Sequence, residues 1–383
     1  MTNDELLSKT ISYLRFPLTV GVVFIHFNIA KDVFSMQGVK YGLNNADWYY
    51  FVINFFSDVL PRVGVPLFFL ISGFLFFYRK EFNTTIYKKK ISNRMVTLVL
   101  PYFLWNIVAI LITLFHQLPF LSSVFPNAGK TNVIISPVRL FYTFFANYIN
   151  EGIFVTPDIG GGISELSQDP YPIDGPMWYV RDLIVMVILS PVIYYFIKKT
   201  GKLGVAILGL SWFFIRPLLG FGYLTMFLTA SFFFSMGAYF SIKRINFVNY
   251  MRKMKYSPFL YLFICVADTL TKRTEYNFFI HNVGILAGVV SVVVIVSLLI
   301  EKKWVKVSNT LANGSFFVYA LHILIIHDIA KLMFKILHLE DNTYSMLFLY
   351  FAVPIITTIV CVFVYVSLKR FCPRVCSLLT GGR

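Results

Sequence analysis

The sequence predicts an all-α polytopic membrane helix bundle of about ten transmembrane helices, with both termini cytoplasmic. Three observations predict it. The 383 residues are 57% hydrophobic and 14% charged, where soluble domains run near ~25% charged. Apolar runs recur from end to end, and each approaches the roughly 20 residues that carry a helix across about 30 Å of hydrocarbon. The runs are continuous rather than alternating, so they read as helices and not as barrel strands.

Taken in order, the first span is expected at 11–30. Lys9 alone precedes it as a cation, with Asp4 and Glu5 beside it, and no small-x-small cleavage site follows. It therefore reads as a retained span and not as a signal peptide. The second, at 60–78, belongs to a run that begins near Trp48 and is broken by Pro61, Gly64 and Pro66. Residues 46–58 accordingly read as an interfacial segment, and 137–149 as a similar one. The third span is expected at 95–116. A long outer loop at 117–176 follows, rich in Gly, Pro, Ser and Asn, with Glu151, Asp158, Glu165, Asp169 and Asp174 as its acids. Seven further spans are expected at 177–197, 203–220, 222–241, 257–272, 279–300, 311–334 and 345–368. No repeat divides the chain, so 1–383 reads as a single integral-membrane domain.

The formal charge of +16 does not point to nucleic acid, because the cations lie in short clusters between spans. On this layout 22 of the 34 Lys and Arg fall on one side and nine on the other, the asymmetry of a cytoplasmic face. The expected location is the plasma (inner) membrane. Cys265 and Cys361 lie within apolar runs, while Cys372 and Cys376 follow the last one. That is no disulfide framework, and free thiols are expected.

An ionisable side chain within a span is costly and is a functional candidate by default. Arg15 and His26 both fall in the first span. Eleven residues of helix rise about 16 Å and return to within about 20° of the starting direction. The two therefore share a face, with the cation near the inner surface and the imidazole deeper. Spacing alone fits either a snorkelling Arg with a core His or a functional path. The fourth span opens Pro176-Met177-Trp178-Tyr179-Val180-Arg181-Asp182. Arg181 and Asp182 are adjacent, so each is expected to find its partner elsewhere or in water. Tyr319 and His322 lie one turn apart in the ninth span. Arg62 is spaced to pair with Asp58. No carboxylate or thiol stands at helical spacing beside His26 or His322, so no metal is expected. Ser72-Gly73 lets a helix or ligand approach closely. The cluster Lys88 to Lys90 with Arg94 suits either anionic lipid or a phosphate-bearing ligand.

These residues together resemble the membrane-bound acyltransferase-3 family, over nearly the whole chain. Arg15 and His26 match its first-span Arg and His separated by ten residues. Phe68 to Phe74 match the pattern aromatic-aromatic-x-x-Ser-Gly-aromatic. Lys88 to Arg94 followed by Pro101-Tyr102 match a basic stretch leading to Pro-Tyr. Pro176 to Asp182 match the Trp-centred start of the fourth span, and Tyr319 with His322 the late Tyr-x-x-His. One departure is visible: many members carry two arginines three apart before the third span, whereas here Thr97 follows Arg94 and Lys90 stands four before it. Lys89 or Lys90 would then substitute.

The resemblance implies an O-acyltransferase with acyl-CoA as donor on the cytoplasmic side, acetyl-CoA being the expected one and succinyl or longer chains remaining open. The acceptor would be a hydroxyl of an extracytoplasmic glycan or lipid-linked sugar. Arg15, Lys89, Lys90 and Arg94 would meet the phosphates of CoA. His26 would act as general base or carry the acyl group itself. His322, Tyr319 and Ser72 are candidate oxyanion donors. Trp178, Arg181 and Asp182 fall to the acceptor side or to holding the cavity. A transporter or flippase of glycan or lipid is the alternative, since mid-depth polar residues suit it too.

Overall fold

The computed structural model describes residues 1–27, 47–78, 82–115, 141, 143–145, 170–220, 222–272, 274–338 and 343–382. Every regular element among them is helical. Most of the loop at 117–176 and of the segment at 137–149 lies outside the described residues.

All ten expected runs are helices. Seven are long and apolar enough to cross a membrane, and a helix pair bent by 66° makes an eighth candidate. The two that fall short have physical reasons. Helix α1 (Asn3–Ile25) is long enough but carries Lys9 and Arg15. Ser257–Leu270 has 14 residues, a rise of about 21 Å, less than the hydrocarbon thickness.

Helix α1 starts where Thr2 accepts a hydrogen bond from the Glu5 amide (3.2 Å) and acids fill the first turn, the favoured chemistry of an N-terminus. It ends at Ile25, with His26 as its C-cap. The next run was expected to divide into an interfacial and a spanning part. It is instead one helical stretch, Trp48–Phe77. It comprises α2 (Asp47–Ile53), a π-turn, a 3₁₀-turn and α3 (Gly64–Phe77). Pro61 and Gly64 alter its pitch without ending it. Helix α4 (Thr84–Arg94) starts at an Asn83 cap and passes through a π-turn into α5 (Leu100–Phe115).

The expected span at 177–197 is bent into α6 (Trp178–Ile188) and α7 (Ser190–Thr200). Pro191 follows the break and removes a backbone donor there. Then come α8 (Lys202–Leu210), α9 (Tyr223–Ile242), α10 (Phe247–Arg252) and α11 (Ser257–Leu270). The last four are α12 (Asn277–Glu301), α13 (Asn309–Leu337), α14 (Thr343–Phe371) and α15 (Pro373–Thr380).

Helices α3 and α9 approach most closely. A Cβ on Gly73 would lie 2.0 Å from the Phe234 carbonyl oxygen, and one on Gly237 1.9 Å from that of Leu70. Two glycines, one on each helix, permit this backbone contact. The α11–α12 hairpin is pinned by buried Asp268. It accepts from His281 Nδ1 (2.7 Å) and Asn277 Nδ2 (2.8 Å) and pairs with Lys272 (2.9 Å). Both chain ends lie at the basic end of the bundle. Asn246 Nδ2 donates to the Asn3 carbonyl (3.2 Å). Gly381 packs on Thr97, three residues after Arg94. Of the four thiols, Cys265, Cys361 and Cys376 are buried and Cys372 is exposed.

Candidate functional site

Six helical segments converge on a cavity of about 210 Å³. From α1 come Arg15 and Thr19, whose hydroxyl bonds back to the Arg15 carbonyl (2.9 Å). Helix α3 supplies Phe68, Ser72 and Phe76, and the end of α4 supplies Arg94. Tyr179 enters from α6, Phe234 from α9 and Tyr319 from α13. Two guanidinium groups therefore face one small, otherwise largely apolar space. Such a pair suits an anion, because guanidinium presents several fixed donors to phosphate or carboxylate.

The basic stretch divides. Arg94 lines the cavity. Lys90 turns to the Phe76 carbonyl, with its ammonium 4.6 Å from the Phe76 ring centre, so it stands at the wall. Lys89 is exposed and does not line the cavity. The four-residue spacing that departs from the family pattern thus puts Lys90, not Lys89, beside Arg94's cavity.

One turn along α13 from Tyr319, outside the cavity lining, lies the histidine pair. The rings of His26 and His322 are centred 5.3 Å apart, bringing together residues 296 positions apart. Tyr319 is next along α13, its ring 6.2 Å from that of His322. His322 is fully buried, and its Nδ1 lies 3.2 Å from the Val318 carbonyl. A carbonyl only accepts, so Nδ1 carries the proton and Nε2 holds a lone pair. That Nε2 is buried without a hydrogen-bond partner. Tyr319 donates its hydroxyl proton to the Pro176 carbonyl. Ser72 and Tyr179 share a hydrogen bond (3.1 Å), and Tyr179 packs edge-on against Phe69 and Tyr319. The importance of Tyr179 was not legible in the sequence. Its one signal is membership of the Pro176 to Asp182 run.

The acceptor-side candidates form a separate network. Arg181 and Asp182 were expected to find different partners, but Arg181 Nε donates to Asp182 Oδ1 at 2.8 Å. The long guanidinium side chain folds back along the helix, which the short-range rule for helix faces does not cover. Arg181 Nη1 also donates to the carbonyls of Phe145 (3.0 Å) and Pro170 (2.6 Å). Trp178 packs against Phe69. Asp174, just before the bent span, is fully buried with neither carboxylate oxygen hydrogen-bonded. Burial pushes its carboxyl well above the usual carboxylate range. Arg62 pairs with Asp58, as the i, i+4 spacing implied. No group of three His, Cys, Asp or Glu arranged to hold a metal ion occurs among the described residues.

Comparison with known proteins gives a consistent result. A family model described as an acyltransferase domain matches residues 9–366. Succinoglycan biosynthesis protein ExoH of Rhizobium meliloti (strain 1021) is 23% identical over 390 residues, covering 99% of this chain and 94% of the relative. No solved structure matches.

Proposed function

Since the chain belongs to the acyltransferase family, whose model it matches over residues 9–366, we propose that it transfers an acyl group, acetyl being the expected one, from cytoplasmic acyl-CoA to a hydroxyl of an extracytoplasmic glycan or lipid-linked sugar. That it is a membrane acyltransferase follows from the family and its apolar helices. The glycan acceptor is suggested by the relative named for succinoglycan biosynthesis. In this reading the chain lies in the inner membrane with both termini cytoplasmic, among lipids that its apolar helices contact.

One observation carries the reading. Tyr319 lines the Arg15–Arg94 cavity, and one turn along the same helix His322 lies beside His26, outside the lining. A thioester whose phosphates are held from the basic end would extend its acyl carbon along this line. His26 takes the proton of the acceptor hydroxyl as the oxygen attacks the thioester carbon. The C–S bond breaks, an ester C–O bond forms, and the proton passes to the departing thiolate. In this tautomer His322 Nε2 is an acceptor, so it does not donate to an oxyanion, and its ring packs beside that of His26. Tyr319 has committed its proton to Pro176. Ser72 with Tyr179 is then the donor pair best situated for the oxyanion. Trp178, Arg181 and Asp182 hold the acceptor side.

The test is His26→Ala in inverted membrane vesicles supplied with labelled acetyl-CoA. Transfer to glycan should fall by about 10²–10⁴-fold, the range of general acid–base catalysis, with the variant still folded. A wild-type rate would remove His26 from the chemistry. Glycan movement without any acyl-CoA requirement in the wild type would favour a flippase.

A further inference from the structure

A second and larger cavity, of about 800 Å³, lies at the same end of the bundle as the chain termini. Ligand sites typically enclose roughly 300–1,000 Å³, so this one is large enough for a bulky headgroup, whereas the 210 Å³ Arg15–Arg94 cavity is too small for a whole acyl-CoA. Its walls come from the start of α1, the end of α3, Phe82, α7 and the end of α9. Lys198 and Arg244 stand at its rim, and neither makes an ion pair among the described residues. Asp4 is the one carboxylate among the lining residues.

Three features give this cavity a ligand chemistry. The two cations suit phosphate. Phe82 and Tyr194 line it with rings centred 4.8 Å apart and tilted by 35°, an aromatic wall against which a planar base can pack. The Ser241 hydroxyl lines it too, 7% exposed and without a hydrogen-bond partner. A buried polar atom in that condition calls for an explanation, and a bound polar group supplies one.

The two cavities are neighbours. Phe76 lines the smaller and Phe77 the larger, with ring centres 5.0 Å apart. Lys90 is bonded to the Phe76 carbonyl at that divide. Resting on the acyl-CoA reading above, we propose that the larger cavity seats the nucleotide end of the donor, an adenosine carrying a 3′-phosphate. The base lies against Phe82 and Tyr194, and the phosphate meets Lys198 and Arg244. The diphosphate passes Lys90 to the two guanidinium groups of the Arg15–Arg94 cavity, and the pantetheine arm runs on from there.

The shared chemistry of phosphate and cation admits a second source, the headgroup of an anionic lipid, and the experiment separates the two. The whole protein is placed in phosphatidylcholine nanodiscs and titrated with CoA and with dephospho-CoA, which lacks the 3′-phosphate. Wild type should bind CoA about tenfold more tightly, the value of one charge-assisted phosphate contact of about 1.4 kcal/mol. Lys198→Ala with Arg244→Ala should erase that preference while leaving the thermal midpoint unchanged, because both side chains are exposed. Tyr194→Leu should weaken both ligands. An unchanged CoA preference in the double variant overturns the proposal and leaves the donor reading standing. Absence of CoA binding by wild type defeats the donor reading and this proposal with it. Loss of CoA binding in phosphatidylglycerol nanodiscs for wild type but not for the double variant assigns the cavity to a lipid headgroup and also overturns it.

Discussion

His322 shows how one hydrogen bond sets a chemical role. With Nδ1–H donated to the Val318 carbonyl, the buried Nε2 is left as an acceptor. His322→Ala should lower acyl transfer without raising the KM for acyl-CoA, since His322 does not line the Arg15–Arg94 cavity. A pure KM effect would put His322 in donor binding instead. Arg15 should behave oppositely. Arg15→Lys keeps the charge but loses the fixed fork of donors, so the KM for acyl-CoA should rise with a smaller change in kcat. Asp174 makes a prediction about stability. Its folded carboxyl titrates above the usual range because burial disfavours the charge. A raised folded pKa contributes stability that is fully present below the unfolded value, ~3.9, and is lost as pH rises through the folded one. Asp174→Asn should remove that loss. The variant should unfold at a higher temperature than wild type at neutral pH, and the gap should close on acidification. A gap independent of pH would show that the carboxyl is not the cause.

At the scale of elements, the α3–α9 contact fixes where the cavity wall stands. Ser72 and Phe76 on α3 and Phe234 on α9 all line the Arg15–Arg94 cavity, and Gly73 and Gly237 set the spacing of those two helices. Gly237→Ala would drive a methyl group onto the Leu70 carbonyl. The expected cost is about 1–3 kcal/mol, that of overpacking a tight interior, read as a lower thermal midpoint in detergent. Gly175→Ala, where a Cβ meets nothing within 4 Å, is the control and should leave the midpoint unchanged. The bend between α6 and α7 has a similar consequence. It lets α6 carry Tyr179 into one cavity while α7 turns Tyr194 and Lys198 toward the other.

For the molecule as a whole, the arrangement is a set of basic groups at one end leading inward to a histidine pair. Both chain ends lie at that basic end, so in the proposed reaction their side of the membrane decides from which side the donor enters. Cys372 is a natural reporter, being exposed while the other three thiols are buried. A membrane-impermeant maleimide should label it in inverted vesicles and not in intact cells. Labelling in intact cells would place the basic end outside and exclude a cytoplasmic donor.

The amino-acid sequence by itself determined the helical class, the positions of ten apolar runs and the polar residues worth inspecting, Arg15, His26, Ser72, Arg94, Tyr319 and His322 among them. These are legible because a polar group in an apolar run is expensive and therefore conspicuous. Sequence also marked Pro61 and Gly64 as a disturbance, although the helix continues through them. Only the tertiary structure decided that His26 meets His322, that Arg181 turns to its neighbour Asp182, that Tyr179 completes the cavity, and that Lys90 and not Lys89 stands at its wall. Those outcomes depend on which faces of helices far apart in sequence are pressed together. Periodicity along one helix carries no information about the rotation and depth of another.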